Sequence, residues 1–244
     1  VTNMTIVKLN RNMSPSHNLL QRLDRLSSML LVLTAPLAIG AVSAAGATSP
    51  PPNILILMTD QQRYDSLGCY GFAAANTPNL DHLAAEGVLF EKAYVTSPVC
   101  TPSRASLWTG KHVPGHGVYR LYDDLPRDEI LFSKRLKDLG YQTALIGKLH
   151  VSSIDFEANQ RHPNDGFDTF EWCVEACARM ESPNHAYARW LKQKSPEFYE
   201  KYLSLQRGIG NVPREYHMTE WATERTLAFL DACDGKEPFF LMMS

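Results

Sequence analysis

Residues 53–59 read Asn-Ile-Leu-Ile-Leu-Met-Thr (NILILMT), and Asp60-Gln61-Gln62-Arg63 follows at once. The run is apolar without alternation and has the length of a strand. A strand with one wet face alternates apolar and polar residues, whereas a strand covered on both faces does not. NILILMT therefore predicts a strand of a parallel sheet with helices on both sides. Ligands of open α/β sheets bind beyond the carboxyl ends of such strands. Asp60 and Gln61 stand at that position.

The segments that follow repeat the theme. Thr77-Pro78 is a helix-start signal, a capping hydroxyl followed by a proline in the first turn. Leu80, Leu83 and Ala84 give that helix an apolar face, and Gly87 stops it. Val88 to Val95 reads as a strand. A helix is predicted from about Leu131 to Asp138, ending at Gly140, and Tyr141 to Ile146 is a second buried strand. Gly147-Lys148-Leu149-His150 lies at its carboxyl end. Residues 215–232 read as helix, with Met218, Trp221, Ala222 and Leu227 on apolar positions, and Phe239–Met243 is a third buried strand. Strands alternating with helices predict an α/β fold with a mostly parallel sheet flanked by helices. Residues 155–214, rich in aromatics, prolines and charge, read as an excursion over the sheet edge that shapes a substrate mouth. The sequence stops at Ser244 directly after an apolar strand, so the fold is expected to be incomplete at that end.

The amino-terminal segment differs. Residues 1–27 are polar and carry Lys8, Arg11, Arg22 and Arg25; an apolar stretch runs from Met29 to Val42; Ser43-Ala44-Ala45-Gly46-Ala47 and a triple proline follow. A basic start, a short apolar centre and a small-residue end predict a secretory signal over residues 1–47, with export to a periplasm or the outside. The stretch is short for a membrane span and Pro36 interrupts it. An uncleaved membrane anchor is the alternative. The long polar lead suggests a start at Met4 or Met13. The domain proper is then residues 50–244. With 24 Lys and Arg against 26 Asp and Glu, net charge −2, and no basic run, nothing suggests a nucleic-acid partner. No stable membrane partner is expected either.

Five cysteines leave at least one unpaired in an exported protein. Cys100 is the informative one. It precedes Thr101-Pro102, which reads as a cap and first helical residue, with the helix continuing through Trp108 to Gly110. Cys100 therefore sits where free backbone N–H groups and the helix dipole favour an anion, and Arg104 lies one turn in. A tetrahedral oxyanion suits such a place. Local chemistry leaves three readings: a structural thiol, a thiolate nucleophile of lowered pKa, or a precursor of another group. A Cys-x5-Arg phosphatase loop would need its arginine two positions later. A thiol-redox role lacks a second cysteine placed to resolve Cys100.

Cys100 to Lys111, CTPSRASLWTGK, closely resembles the signature of the sulfatase family. Gly140-Tyr141-Gln142-Thr143 with Gly147-Lys148-Leu149-His150 resembles a second family motif, and the opening strand with Asp60-Gln61 a third. The motifs occur in family order over residues 53–150. The resemblance implies an alkaline-phosphatase-like fold and hydrolysis of a sulfate monoester, of a sulfated carbohydrate or an aryl alcohol. It implies that a maturating enzyme oxidises Cys100 to formylglycine, whose hydrate attacks sulfur with one hydroxyl and releases sulfate with the other. A calcium or magnesium ion would be held by Asp60, the modified Cys100 and Gln61. Gln61 stands where many relatives carry a second aspartate, and its amide adds an oxygen but no charge. Arg104 would steady the formylglycine, Lys148 would contact sulfate and offset leaving-group charge, and His150 would donate to the hydrated aldehyde. Cations placed where charge develops are worth on the order of 3–4 kcal/mol each. Lys111 is expected to hold the loop, and His112 and His116 to be structural or solvent-facing. In the family the second pair of metal ligands and further sulfate contacts lie beyond the part matched here, so weak or absent activity of the 244-residue chain alone is expected. Two alternatives remain: a phosphonate or phosphate ester hydrolase of the same superfamily, and a non-catalytic remnant that binds a sulfated ligand.

Overall fold

The computed structural model describes residues 4–9, 50–204 and 212–244. Five strands form one sheet: β1 (Met4–Leu9), β2 (Asn53–Met58), β3 (Gln142–Gly147), β4 (Thr169–Trp172) and β5 (Phe239–Met243), in the spatial order β1-β2-β5-β3-β4. β2, β5, β3 and β4 run parallel; β1 pairs antiparallel with β2, Met4 opposite Met58 and Leu9 opposite Asn53. β1 falls within the predicted signal segment; the rest of that segment lies outside the described residues.

The three apolar runs are the three inner parallel strands, and their residues alternate between two cores. Ile56, Met58, Leu145, Phe240 and Met242 face one core. There they meet Trp108 of α2 (Cys100–Thr109), beside Leu131, Phe132 and Leu136 at α4 (Phe132–Asp138). Leu55, Ala144, Ile146, Phe239 and Leu241 face the other, against Tyr187 and Leu191 of α6 (Ala186–Lys194), Tyr202 of α7 (Pro196–Leu203) and Trp221 of α8 (Met218–Ala232). Burial on both faces explains the unbroken apolar composition. The remaining helices are α1 (Pro78–Glu86), α3 (Val113–His116) and α5 (Ile154–Asn159).

Two sequence expectations fail. Val88 to Val95 is not a strand. It has no ladder partner among the described residues, and Val88, Phe90 and Tyr94 are exposed. A β-rich composition forms a strand only where an edge is available to pair with. The described part of residues 155–214, namely 155–204 and 212–214, is also more regular than expected. It holds most of α5, all of α6 and α7, and β4, which extends the parallel sheet beside β3. Short elements punctuated by Ser153, Ser195 and His185 caps hid the periodicity.

Candidate active site

Three chain segments meet at the carboxyl edge of the sheet: the ends of β2 and β3, and the start of α2. The helix is anchored from its far end. Trp108 is fully buried, its ring stacked on Phe132 at 4.6 Å and edge-on to Phe167 at 5.4 Å, and Gly110 closes the helix in left-handed backbone. Its start differs from the sequence reading. The cap residue is Val99, Cys100 takes the first helical position, and Thr101 and Pro102 complete the first turn. Proline is still favourable there because the first N–H groups of a helix have no intrahelical partner. Thr101, freed from capping, places its hydroxyl 3.1 Å from His150 Nε2. Cys100 is a half-buried free thiol at the positive end of a ten-residue helix.

Arg104 is buried and fully engaged. Nη1 donates to the Lys148 carbonyl at 2.6 Å, and Nη2 donates to Ser244 Oγ at 2.9 Å, so the guanidinium ties α2 to the ends of β3 and β5. Burial lowers its pKa, against the opposing pull of Asp60, Cys100 and Glu157; an arginine stays charged nonetheless.

The end of β3 is tightly built. Gly147 has φ 107°, and a Cβ there would lie 1.9 Å from the Ser244 carbonyl oxygen, so only glycine fits. Lys148 follows, 6% exposed, with Nζ 2.7 Å from Asp60 Oδ2. Burial pushes the Asp60 carboxyl up, but Lys148, by hydrogen bond and charge, then Arg104 and His150 hold it below the usual range. His150 is buried, with φ 56°. Burial, reinforced by the charges of Lys148 and Arg104, pushes its imidazole down to about 3, so it is neutral at neutral pH. Nε2 has Thr101 as partner, and Nδ1 is buried without one.

Asp60, Arg104, Lys148 and His150 are thus brought within electrostatic reach of one another, and Cys100 within reach of Arg104. Gln61 sits beside Asp60 but is exposed, with φ 56°. The carboxylate of Asp60 and the amide oxygen of Gln61 are hard donors of the kind calcium or magnesium prefers. Among the described residues, however, no three His, Cys, Asp or Glu side chains converge as a ligand set. These cations take about six or more oxygen ligands. Asp60 and Gln61 offer two such oxygens, fewer than either ion takes. The flanking residues are structural. Lys111 pairs with Glu129 at 2.6 Å, and His116 is buried with Nε2 2.8 Å from Ser106 Oγ, while His112 is exposed. Ser244 and Glu157 hold the cluster without having been marked by sequence pattern, and Thr101, inside a motif, had been marked only as a cap.

A mostly parallel α/β sheet with buried cations, one carboxylate and a helix start at its carboxyl edge is an arrangement that suits a tetrahedral oxyanion. The sulfatase family model matches residues 52–244, and the chain belongs to the sulfatase family. It is 32% identical over 241 residues to the N-acetylgalactosamine-6-sulfatase of Canis lupus familiaris, covering 87% of this chain and 42% of that protein. A solved protein in complex with its substrate D-glucosamine-2-N,6-O-disulfate is similar at 27% identity and TM-score 0.54, over 79% of this chain and 33% of the other. The phosphonate monoester hydrolase of Agrobacterium radiobacter shares the fold, with TM-score 0.61 at 20% identity, over 79% of this chain and 40% of that one. The chain thus spans less than half the length of these relatives.

Proposed function

We propose that this chain forms the nucleophile side of a sulfate monoester hydrolase, acting on a sulfated sugar or an aryl sulfate. The observation that carries this reading is the convergence of the Cys100 helix start with Arg104, Lys148, His150 and Asp60. The names of the sugar-directed relatives support a sulfated carbohydrate as substrate class. Cys100, oxidised by a maturating enzyme to formylglycine, supplies a hydrated aldehyde as the nucleophile. A calcium or magnesium ion, when bound, polarises the ester oxygens; Asp60, Gln61 and the modified Cys100 would hold it with ligands from outside the described residues.

The remaining roles belong to this chain's side chains. Arg104, locked by its two bonds, presents fixed positive charge behind the nucleophile. Lys148 is the one site cation with a flexible stem. It exchanges its Asp60 contact for a sulfate oxygen as substrate enters and offsets charge on the leaving oxygen. His150 is neutral; with Nε2–H directed to Thr101, it offers Nδ1 as acceptor for a hydroxyl proton of the hydrate, in place of the donor role that the resemblance implies. Export follows from the signal-like residues 1–47; among the described residues no helix is long and apolar enough to cross a membrane.

The fold likeness to a phosphonate monoester hydrolase gives a second reading, since phosphonate and sulfate esters share charge and shape. Parallel kinetics of the matured protein on an aryl sulfate and on phenylphosphonate separate the two. Faster turnover of the sulfate supports the proposal, and faster turnover of the phosphonate replaces it. An unmodified Cys100 thiol, with tight binding of a sulfated sugar, favours the non-catalytic remnant.

A further inference from the structure

One acidic side chain outside every motif is built into the same edge. Glu157, on α5, is 2% exposed and has no lysine or arginine partner among its hydrogen bonds. Instead four N–H groups converge on its carboxylate. Oε2 accepts from His150 N at 2.9 Å and from Trp172 Nε1 at 2.7 Å; Oε1 accepts from Val151 N at 2.7 Å and Ser152 N at 3.2 Å. Three successive backbone donors form a concave anion site, of the kind that elsewhere receives phosphate. Here the chain fills it with its own carboxylate.

That arrangement answers a structural need. β3 ends at Gly147, and the chain must turn within a few residues while presenting Lys148 and His150 to one side. It does so with His150 in left-handed backbone, φ 56°, a conformation that a non-glycine residue keeps only when its surroundings enforce it. The N–H of His150 itself, and those of the next two residues, are held by Glu157. From the other side Thr101 Oγ1 meets His150 Nε2. The Thr101 hydroxyl is also directed at the Leu121 carbonyl, 3.5 Å away. In the tautomer in which the Thr101 oxygen accepts from Nε2–H, Nδ1 is left as the bare nitrogen. Trp172, at the end of β4, links the same carboxylate to the edge strand.

We propose that Glu157 is the positioning residue of the site: its carboxylate fixes the 150–152 turn, and so sets the orientation and tautomer of His150. The proposal rests on the hydrolase reading for its functional consequence, but its structural content can be measured without any substrate. A carboxylate is required because all four neighbours are donors. Glutamine offers one acceptor oxygen and turns an NH2 group toward two of them.

The test compares Glu157→Gln and Glu157→Ala in the full 244-residue chain by NMR. The probes are the exchange rates of the His150, Val151 and Ser152 amides and the imidazole nitrogen signals of His150. The wild type is expected to show slow exchange at all three amides and a single Nε2–H tautomer. In Glu157→Gln, exchange at the turn accelerates about tenfold or more and the tautomers average, while the amides of β2 and β5 keep their protection. If Glu157→Ala does not fold, the glutamine variant alone decides. In the matured protein the same variant lowers kcat about 10- to 100-fold with little change in KM. Turn amides and a His150 tautomer unchanged in Glu157→Gln would overturn the proposal. A Cys100 found only as the unmodified thiol in protein from its own host, with the turn loosened in the variant, would sink the hydrolase reading and leave the role of Glu157 standing.

Discussion

The carboxyl ends of β2 and β3 are built from similar sequence material and end in opposite states. Both strands are apolar runs covered on two faces, and both deliver charged residues to the same edge. After β3 the chain is closed in: Lys148 is 6% exposed, His150 is buried, and Glu157 and Ser244 hold the turn from two sides. After β2 the chain is open. Asp60 is 36% exposed, Gln61 is exposed, and the residues beyond lie in short 3₁₀ turns. The cationic half of the site is preorganised. The acidic half is a partial donor set whose present counter-ion is Lys148 Nζ. Fixed positive charge suits an oxyanion that changes little in shape, whereas an accessible carboxylate suits an ion that must arrive from solvent.

Substitution should expose the asymmetry most strongly at Gly147. Gly147→Ala adds a Cβ at φ 107° against the Ser244 carbonyl, and both the backbone and the β5 end would have to move. A loss of about 3 kcal/mol or more is expected, read by denaturant unfolding. A variant within 1 kcal/mol of the wild type, on the order of ordinary surface substitutions, would mean that the β3 end is as loose as the β2 end.

Acid should separate the two ends next. The His150 imidazole, near its ordinary 6.5 in the unfolded chain and about 3 when folded, binds a proton only on unfolding within that window. Stability from this group is full above about 6.5 and declines as the pH falls toward 3, by up to about 1.4 kcal/mol per pH unit. Asp60, lowered from 3.8, adds its loss only below that value. His150→Asn, whose side chain tolerates left-handed backbone, should flatten the slope between pH 6 and about 4. An unchanged slope would show that His150 is not held neutral.

The smallest effect belongs to Gln61. Gln61→Gly relieves the positive φ and should shift stability by no more than about 1 kcal/mol, while weakening calcium binding measured by calorimetry. Severe destabilisation would show that the β2 end is rigid too.

These contrasts also explain what the sequence made legible. The buried strands, the helix carrying Cys100 and the set of Asp60, Cys100, Arg104, Lys148 and His150 could be named from residue pattern and family resemblance, because apolar runs and fixed motifs are local. The 88–95 segment misled because strand composition does not supply a partner edge. Glu157 was invisible because its partners are mostly backbone N–H groups, brought to it by a turn that no periodicity announces. Thr101 read as a cap because hydroxyl-proline is a good cap signal; in the fold it lies one residue inside and serves His150 instead.

The central claim is that the chain uses Cys100 as raw material for its nucleophile. Mass spectrometry of the peptide spanning Cys100, from protein made in its own host, tests this directly. Conversion of thiol to aldehyde lowers the mass by about 18 Da, and that shift is the predicted result. A peptide carrying only the unmodified thiol would contradict the account.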